Sequence, residues 1–91
     1  MSYRVEIGPQ AEIQLSNLDS AIAESIERKI LWLADNATNI IHRRLVGMPK
    51  DLLGLCKLRV GDYRILYWIY PEKKLICLYR IQHRAEVYRK L

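Results

Sequence analysis

Lys57, Arg59 and Arg64 stand close together in the chain, and a second group, His83, Arg84 and Tyr88, falls within a window of six residues near its end. These residue types can handle a phosphodiester. Guanidinium groups donate paired, charge-assisted hydrogen bonds to phosphate oxygens. Histidine has an unperturbed pKa of ~6.5, where a general base works, and tyrosine offers a ring on which a base stacks.

Whether the two groups meet depends on the elements that carry them. Tyr3, Val5 and Ile7 alternate with Arg4 and Glu6, the period of a half-buried strand, which Gly8-Pro9 ends. Ala11, Leu15 and Leu18 then fit one stripe of a short helix opened by Pro9. Asn17 to Ser20 reads as a break and an N-cap, and Ile22, Ile26, Ile30 and Leu33 predict a longer helix to about Asn36. Residues 39–44 read equally as a short turn or as loop. Beyond Pro49 come apolar runs rich in Ile, Val, Tyr and Trp, which predict strands over residues 53–60, 63–70 and 75–82. Gly61-Asp62 between the first two suits a type II′ hairpin turn, and Pro71 to Lys74 makes the second turn. Residues 85–91 read as one helical turn. The expected fold is α+β: a strand, a two-helix hairpin, then a three-stranded antiparallel meander.

Tight turns set a register. The first hairpin pairs Val60 with Tyr63, Arg59 with Arg64, Lys57 with Leu66 and Leu55 with Trp68. An unbroken second hairpin pairs Arg64 with Ile81, Leu66 with Tyr79, Tyr67 with Leu78 and Trp68 with Cys77. Opposed residues share a face. One face therefore carries Cys56, Leu58, Val60, Ile65, Tyr67, Ile69, Ile76 and Leu78, the expected core against the helices. The other carries Lys57, Arg59, Arg64 and, one step past the strand, His83. On this second face Leu55, Leu66, Trp68, Cys77 and Tyr79 form an apolar patch expected to be bare and available to a partner. Arg59 facing Arg64 is a like-charge pair, which a sheet avoids without a reason. A bound phosphate is one reason; splaying into water beside Asp62 is another.

Composition narrows the classes. Ninety-one residues, 51% hydrophobic and 27% charged, suit one packed domain spanning 1–91 and exclude separate cofactor and substrate domains. Residues 65–71 are the longest uncharged stretch of the apolar C-terminal half, far short of the roughly 20 a membrane helix needs. Arg4 and Glu6 interrupt any secretory signal, so a cytoplasmic protein with no membrane partner is expected. Residues 1–40 hold three basic and six acidic groups, whereas 41–91 hold twelve and four. That regional basicity suits a polyanionic partner, nucleic acid first, and is also compatible with a merely soluble basic surface. Two cysteines and two histidines make no zinc spacing, and the four glycines make no phosphate loop. Neither metal nor cofactor is expected. Cys56 and Cys77 fall on opposite faces and should not bridge, in keeping with a reducing compartment.

The string from Leu58 to Tyr67 (LRVGDYRILY), with Ile81 to Tyr88 (IQHRAEVY) following, resembles the RelE/ParE superfamily of toxins from prokaryotic toxin–antitoxin modules. The resemblance spans almost the whole chain and implies a small microbial-ribonuclease-like domain. By its basic residues the chain is similar to the RelE side, which implies a ribosome-dependent endoribonuclease, an mRNA interferase that cuts mRNA in the A site and so inhibits translation. It implies Arg64 on the scissile phosphate, Lys57 in the same groove, and Arg84 and Tyr88 as the C-terminal pair, with Tyr88 stacking on or activating the reacting nucleotide. His83 stands where some relatives have histidine and others an acidic residue; Leu55 stands where some have a second lysine. The catalytic set is thus Lys57, Arg64, His83, Arg84 and Tyr88, with Arg43, Arg44, Lys50, Arg59 and Tyr79 for RNA binding. Expected partners are the ribosome and mRNA, a cognate antitoxin on Leu55, Leu66 and Trp68, and operator DNA only through that antitoxin. The alternatives are a ParE-like inhibitor of DNA gyrase without catalysis and a small nucleic-acid-binding module.

Overall fold

A computed structural model of the protein describes residues 2–85. Its elements are β1 (Arg4–Ile7), α1 (Pro9–Ser16), α2 (Ser20–Asn36), β2 (Arg43–Arg44), β3 (Cys56–Val60), β4 (Tyr63–Tyr70) and β5 (Leu75–His83), with 3-10 turns at Lys50–Leu52 and Pro71–Lys73. The α+β class and the order of the main elements are as the sequence implies. The sheet is larger than a meander. Its order is β1-β5-β4-β3-β2, with β1 parallel to β5 because the helical pair carries the chain across the sheet between them. Residues 39–44 end in strand: Arg43 pairs with Lys57 and Arg44 with Cys56, extending the sheet beyond β3.

The helices cover one face. Ala11, Ile26, Ile30 and Leu33 are buried against Cys56, Ile65, Tyr67, Ile76 and Leu78, the side predicted to be core, and Leu58, Val60 and Ile69 pack on this cluster. Each such aliphatic chain removed from water contributes roughly 1.5–3 kcal/mol. Where β1 turns into α1 the chain passes close over β5. The amide of Gly8 donates to the carbonyl of Leu78 at 2.9 Å, and a Cβ at Gly8 would sit 2.8 Å from that same oxygen. Glycine is required here by proximity.

The β3–β4 hairpin has the expected register from Cys56 to Val60, with Arg59 opposite Arg64, but the strand expected over 53–60 begins only at Cys56 and the expected Leu55–Trp68 pair does not form. Gly61 takes φ 58, as the first central residue of a type II′ turn must. The β4–β5 pairing corrects the unbroken register. Trp68 pairs with Cys77 and Tyr67 with Leu78, but beyond a bulge Leu66 pairs with Arg80, Ile65 with Ile81, Arg64 with Gln82 and Tyr63 with His83. Tyr79 is the extra residue. Leu78 and Ile81 are both apolar and three apart, so strict alternation cannot point both inward; one inserted residue does, leaving Leu78 at 1% and Ile81 at 4% exposure. The same slip moves His83 off the basic face, where the sequence reading had placed it, to the side of Tyr63.

The bare apolar patch is also corrected. Leu55 precedes β3, is wholly buried, and Leu66 is 6% exposed. The turn at Lys50–Leu52 brings Leu53 and Gly54 against Trp68, whose indole N–H donates to the carbonyl of Leu53 at 3.0 Å. The protein's own 45–55 segment occupies that end of the second face.

Candidate functional site

Two cross-strand rows of side chains lie on the sheet face away from the helices. One runs Arg43, Lys57, Leu66, Arg80 and the next runs Arg59, Arg64, Gln82. Arg84, just past β5, joins the second row through the β3–β4 turn, since its amide donates to the carbonyl of Asp62 at 2.8 Å. Arg59, Gly61, Asp62, Tyr63, Arg64 and Arg84 together line a cavity of about 250 Å³. The turn is what assembles it, because it sets Arg59 opposite Arg64 and offers the carbonyl that holds the start of the C-terminal segment.

Charge in this cavity is unbalanced. Three guanidiniums face one carboxylate. The Arg84–Asp62 contact is long, 3.9 Å, with both side chains more than half exposed, so it neutralises little. The Nε of Arg59 donates to the carbonyl of Gly61 at 3.2 Å, which folds the side chain over the turn. The arrangement suits a dianionic tetrahedral or trigonal-bipyramidal phosphate, whose oxygens take several guanidinium donors at once.

Arg80 was missed by the sequence reading. An unbroken register turns it toward the core; the bulge places it across from Leu66 on the basic face. Its Nε is shut off from water and has no hydrogen-bond partner among the described residues. Such an orphaned donor costs roughly 1–3 kcal/mol until an acceptor arrives. The signal was in the sequence, in the three-residue spacing of Leu78 and Ile81.

The other expected residues scatter. His83 stacks edge-on against Tyr63, centroids 4.9 Å apart, and its Nδ1 accepts the amide of Ala85 at 3.1 Å; it lines a different hollow, with Gln14, Asn17 and Leu18. Arg44 lies across from Cys56 and so points opposite to Arg43. Lys50 is exposed at the start of its 3-10 turn. Tyr79 tilts against Trp68, centroids 5.2 Å apart, away from the arginines. Tyr88 lies outside the described residues. Cys56 and Cys77 are both free, on opposite faces. Burial raises the thiol pKa of Cys56 against the pull of Arg44. Burial and the Glu6 carboxylate raise that of Cys77. No group of three metal-ligating side chains converges among the described residues, and no helix among them is long and apolar enough to cross a membrane.

Comparison with known proteins agrees with this geometry. The toxin RelG of Mycobacterium tuberculosis is 40% identical over 47 residues, which are 50% of this chain and 54% of that protein, so the chain matches about half the length of that relative. The toxin–antitoxin complex RelBE2 from Mycobacterium tuberculosis contains a chain that superposes with a TM-score of 0.77 at 26% identity, covering 93% of this chain and 94% of that one. The isolated RelE toxin of E. coli shares the fold, with a TM-score of 0.72 at 22% identity over 98% of this chain and 94% of its own. The sequence profile of the ParE toxin of the type II toxin–antitoxin system parDE matches residues 5–88. With nearly its whole length inside that profile, the chain belongs to the ParE toxin family, within the RelE/ParE superfamily.

Proposed function

We propose that this protein is the toxin of a type II toxin–antitoxin module and that it cuts mRNA in the ribosomal A site until a cognate antitoxin neutralises it. The observation that carries this reading is the meeting of Arg59, Arg64 and Arg84 around one cavity with a single carboxylate. In the reaction a ribose 2′-hydroxyl gives its proton to solvent water and its oxygen attacks the adjacent phosphorus. The phosphorane gathers negative charge on its equatorial oxygens, and the P–O5′ bond breaks with its electron pair on O5′, which takes a proton back from water, leaving a 2′,3′-cyclic phosphate and a 5′-hydroxyl. Arg64 and Arg84 hold the phosphorane, Arg59 flanks it, and Lys57 and Arg80 grip the neighbouring backbone with Arg43. Preorganised donors of this kind supply ~3 kcal/mol each to the transition state. Neither described histidine lines the cavity, so the reading rests on charge stabilisation and gives His83 no part in proton transfer. Tyr88 keeps the role that family resemblance implies, stacking on or activating the reacting nucleotide. Contact with operator DNA runs through the antitoxin.

The family profile favours a second reading, since it is that of a ParE toxin: a non-catalytic inhibitor of DNA gyrase. Brief induction in cells, with parallel mapping of mRNA 5′ ends and of plasmid supercoiling, separates the two. New 5′ ends inside translated codons with supercoiling intact support the interferase. Relaxed plasmid with intact mRNA supports gyrase inhibition.

A further inference from the structure

Beside the arginine cavity lies a second one of about 400 Å³, and the two share Arg59 and Arg64 as a common wall. We propose that this second cavity is a base-selecting subsite, seating the nucleobase of the nucleotide whose phosphate lies on Arg64. The inference rests on the reading of the arginine cavity as an RNA phosphate site.

The cavity exists because β2 is short. Pairing with β3 ends at Arg43 and Lys57, and Ile40 and Ile41, which precede that pair, line the slot together with Leu58. These three make its apolar lining, while Arg43 and Lys57 stand with the shared arginines at its charged side. Apolar walls with cations to one side are the chemistry of a nucleotide site, in which the flat ring leaves water and the phosphate stays on the guanidiniums. One ribose links base to phosphate, and one pair of side chains separates the two cavities.

Two further observations support a receiving site. Ile41 is 91% exposed, an apolar side chain standing in water at the slot; a base laid against it removes that surface from solvent. The wall that carries Ile41 is pinned. His42 sits between the hydroxyl of Tyr67 and the carbonyl of Ala37, each at 2.7 Å. A carbonyl can only accept, so Nε2–H donates to Ala37 and Nδ1 accepts the Tyr67 hydroxyl, which burial holds in its protonated form. The two bonds tie the segment to β4 on one side and to the end of α2 on the other.

The test uses the whole chain with three probes: a nucleoside 3′-monophosphate, ribose 5-phosphate and inorganic phosphate, each titrated by calorimetry or by NMR shifts of the Ile41 methyls. The wild-type protein should bind the nucleotide about tenfold more tightly than ribose phosphate. Ile41→Ser, a change at an exposed position, should cut that advantage to under threefold with the affinity for inorganic phosphate unchanged. An advantage that survives Ile41→Ser overturns the subsite, as does the absence of any advantage for the base in the wild type. Displacement of bound nucleotide by an acidic peptide that itself shifts the Ile41 methyls more strongly also overturns it, marking a protein-docking slot instead. Ribosome-dependent cleavage by the wild type, measured alongside, tells a failed subsite from a failed interferase reading: cleavage without a base advantage removes the subsite alone.

Discussion

Arg64 reaches the cavity from β4 and Arg84 from just past β5, and each is at least partly open to water, so replacing either should separate chemistry from folding. Arg64→Ala is expected to lower single-turnover cleavage on programmed ribosomes about 10²- to 10³-fold, with thermal unfolding within a degree or two of wild type; an unchanged rate would remove Arg64 from the reaction. Arg80 differs because its Nε is buried and orphaned. Arg80→Met should therefore weaken RNA binding several-fold and leave stability equal or slightly higher, since the substitution removes an unsatisfied donor. Affinity unchanged by Arg80→Met would show that its side chain faces no phosphate. The thiols give a third check. With both pKa values raised, thiolate appears only at higher pH than for an ordinary cysteine, so labelling by a disulfide reagent at pH 8 should be slow, slowest at the wholly buried Cys56. Rapid labelling of Cys56 at that pH would mean that β3 opens readily.

At the scale of elements, the bulge in β5 decides which residues form the site. It brings Ile81 into the core, Arg80 onto the basic face and His83 out of it. Deleting Tyr79 forces the choice between these outcomes: an unbroken ladder must expose either Leu78 or Ile81, both nearly fully buried now. The deletion should lower stability by about 3 kcal/mol or more, read from urea unfolding, because a large apolar chain loses its place in the core. Near-native stability would mean that β5 can slide without cost. Much of this level was legible beforehand. The alternation of Tyr3, Val5 and Ile7, the stripe from Ile22 to Leu33 and the Gly61-Asp62 turn each depend on neighbours in sequence, and each element formed where its pattern lay. Three features were not. Arg43–Arg44 becomes a strand only because β3 offers an open edge. Trp68 is covered by a loop whose path depends on the turn at Lys50–Leu52. The bulge violates the period of two that the register argument assumed. The arginine pair survived because it lies next to the turn, before any slip can accumulate; His83, at the far end of the second hairpin, took the whole error.

For the whole molecule, the acidic first forty residues and the basic remainder fold into a helical layer on one side and a cationic sheet face on the other. A polyanion should approach the sheet face, and its affinity should fall with salt at ~0.7 logarithmic units per phosphate contact on a single strand. Losing Arg64 should reduce that slope by about one contact. The central claim is that this face cuts RNA, and the most direct measurement is on purified ribosomes carrying a defined mRNA with an empty A site. Wild-type protein is added and the ends of the resulting fragments are identified chemically. The account predicts one cut within the A-site codon, with 2′,3′-cyclic phosphate and 5′-hydroxyl termini, abolished by Arg64→Ala. An mRNA that remains intact with folded wild-type protein, under conditions where the same preparation inhibits gyrase, would contradict it.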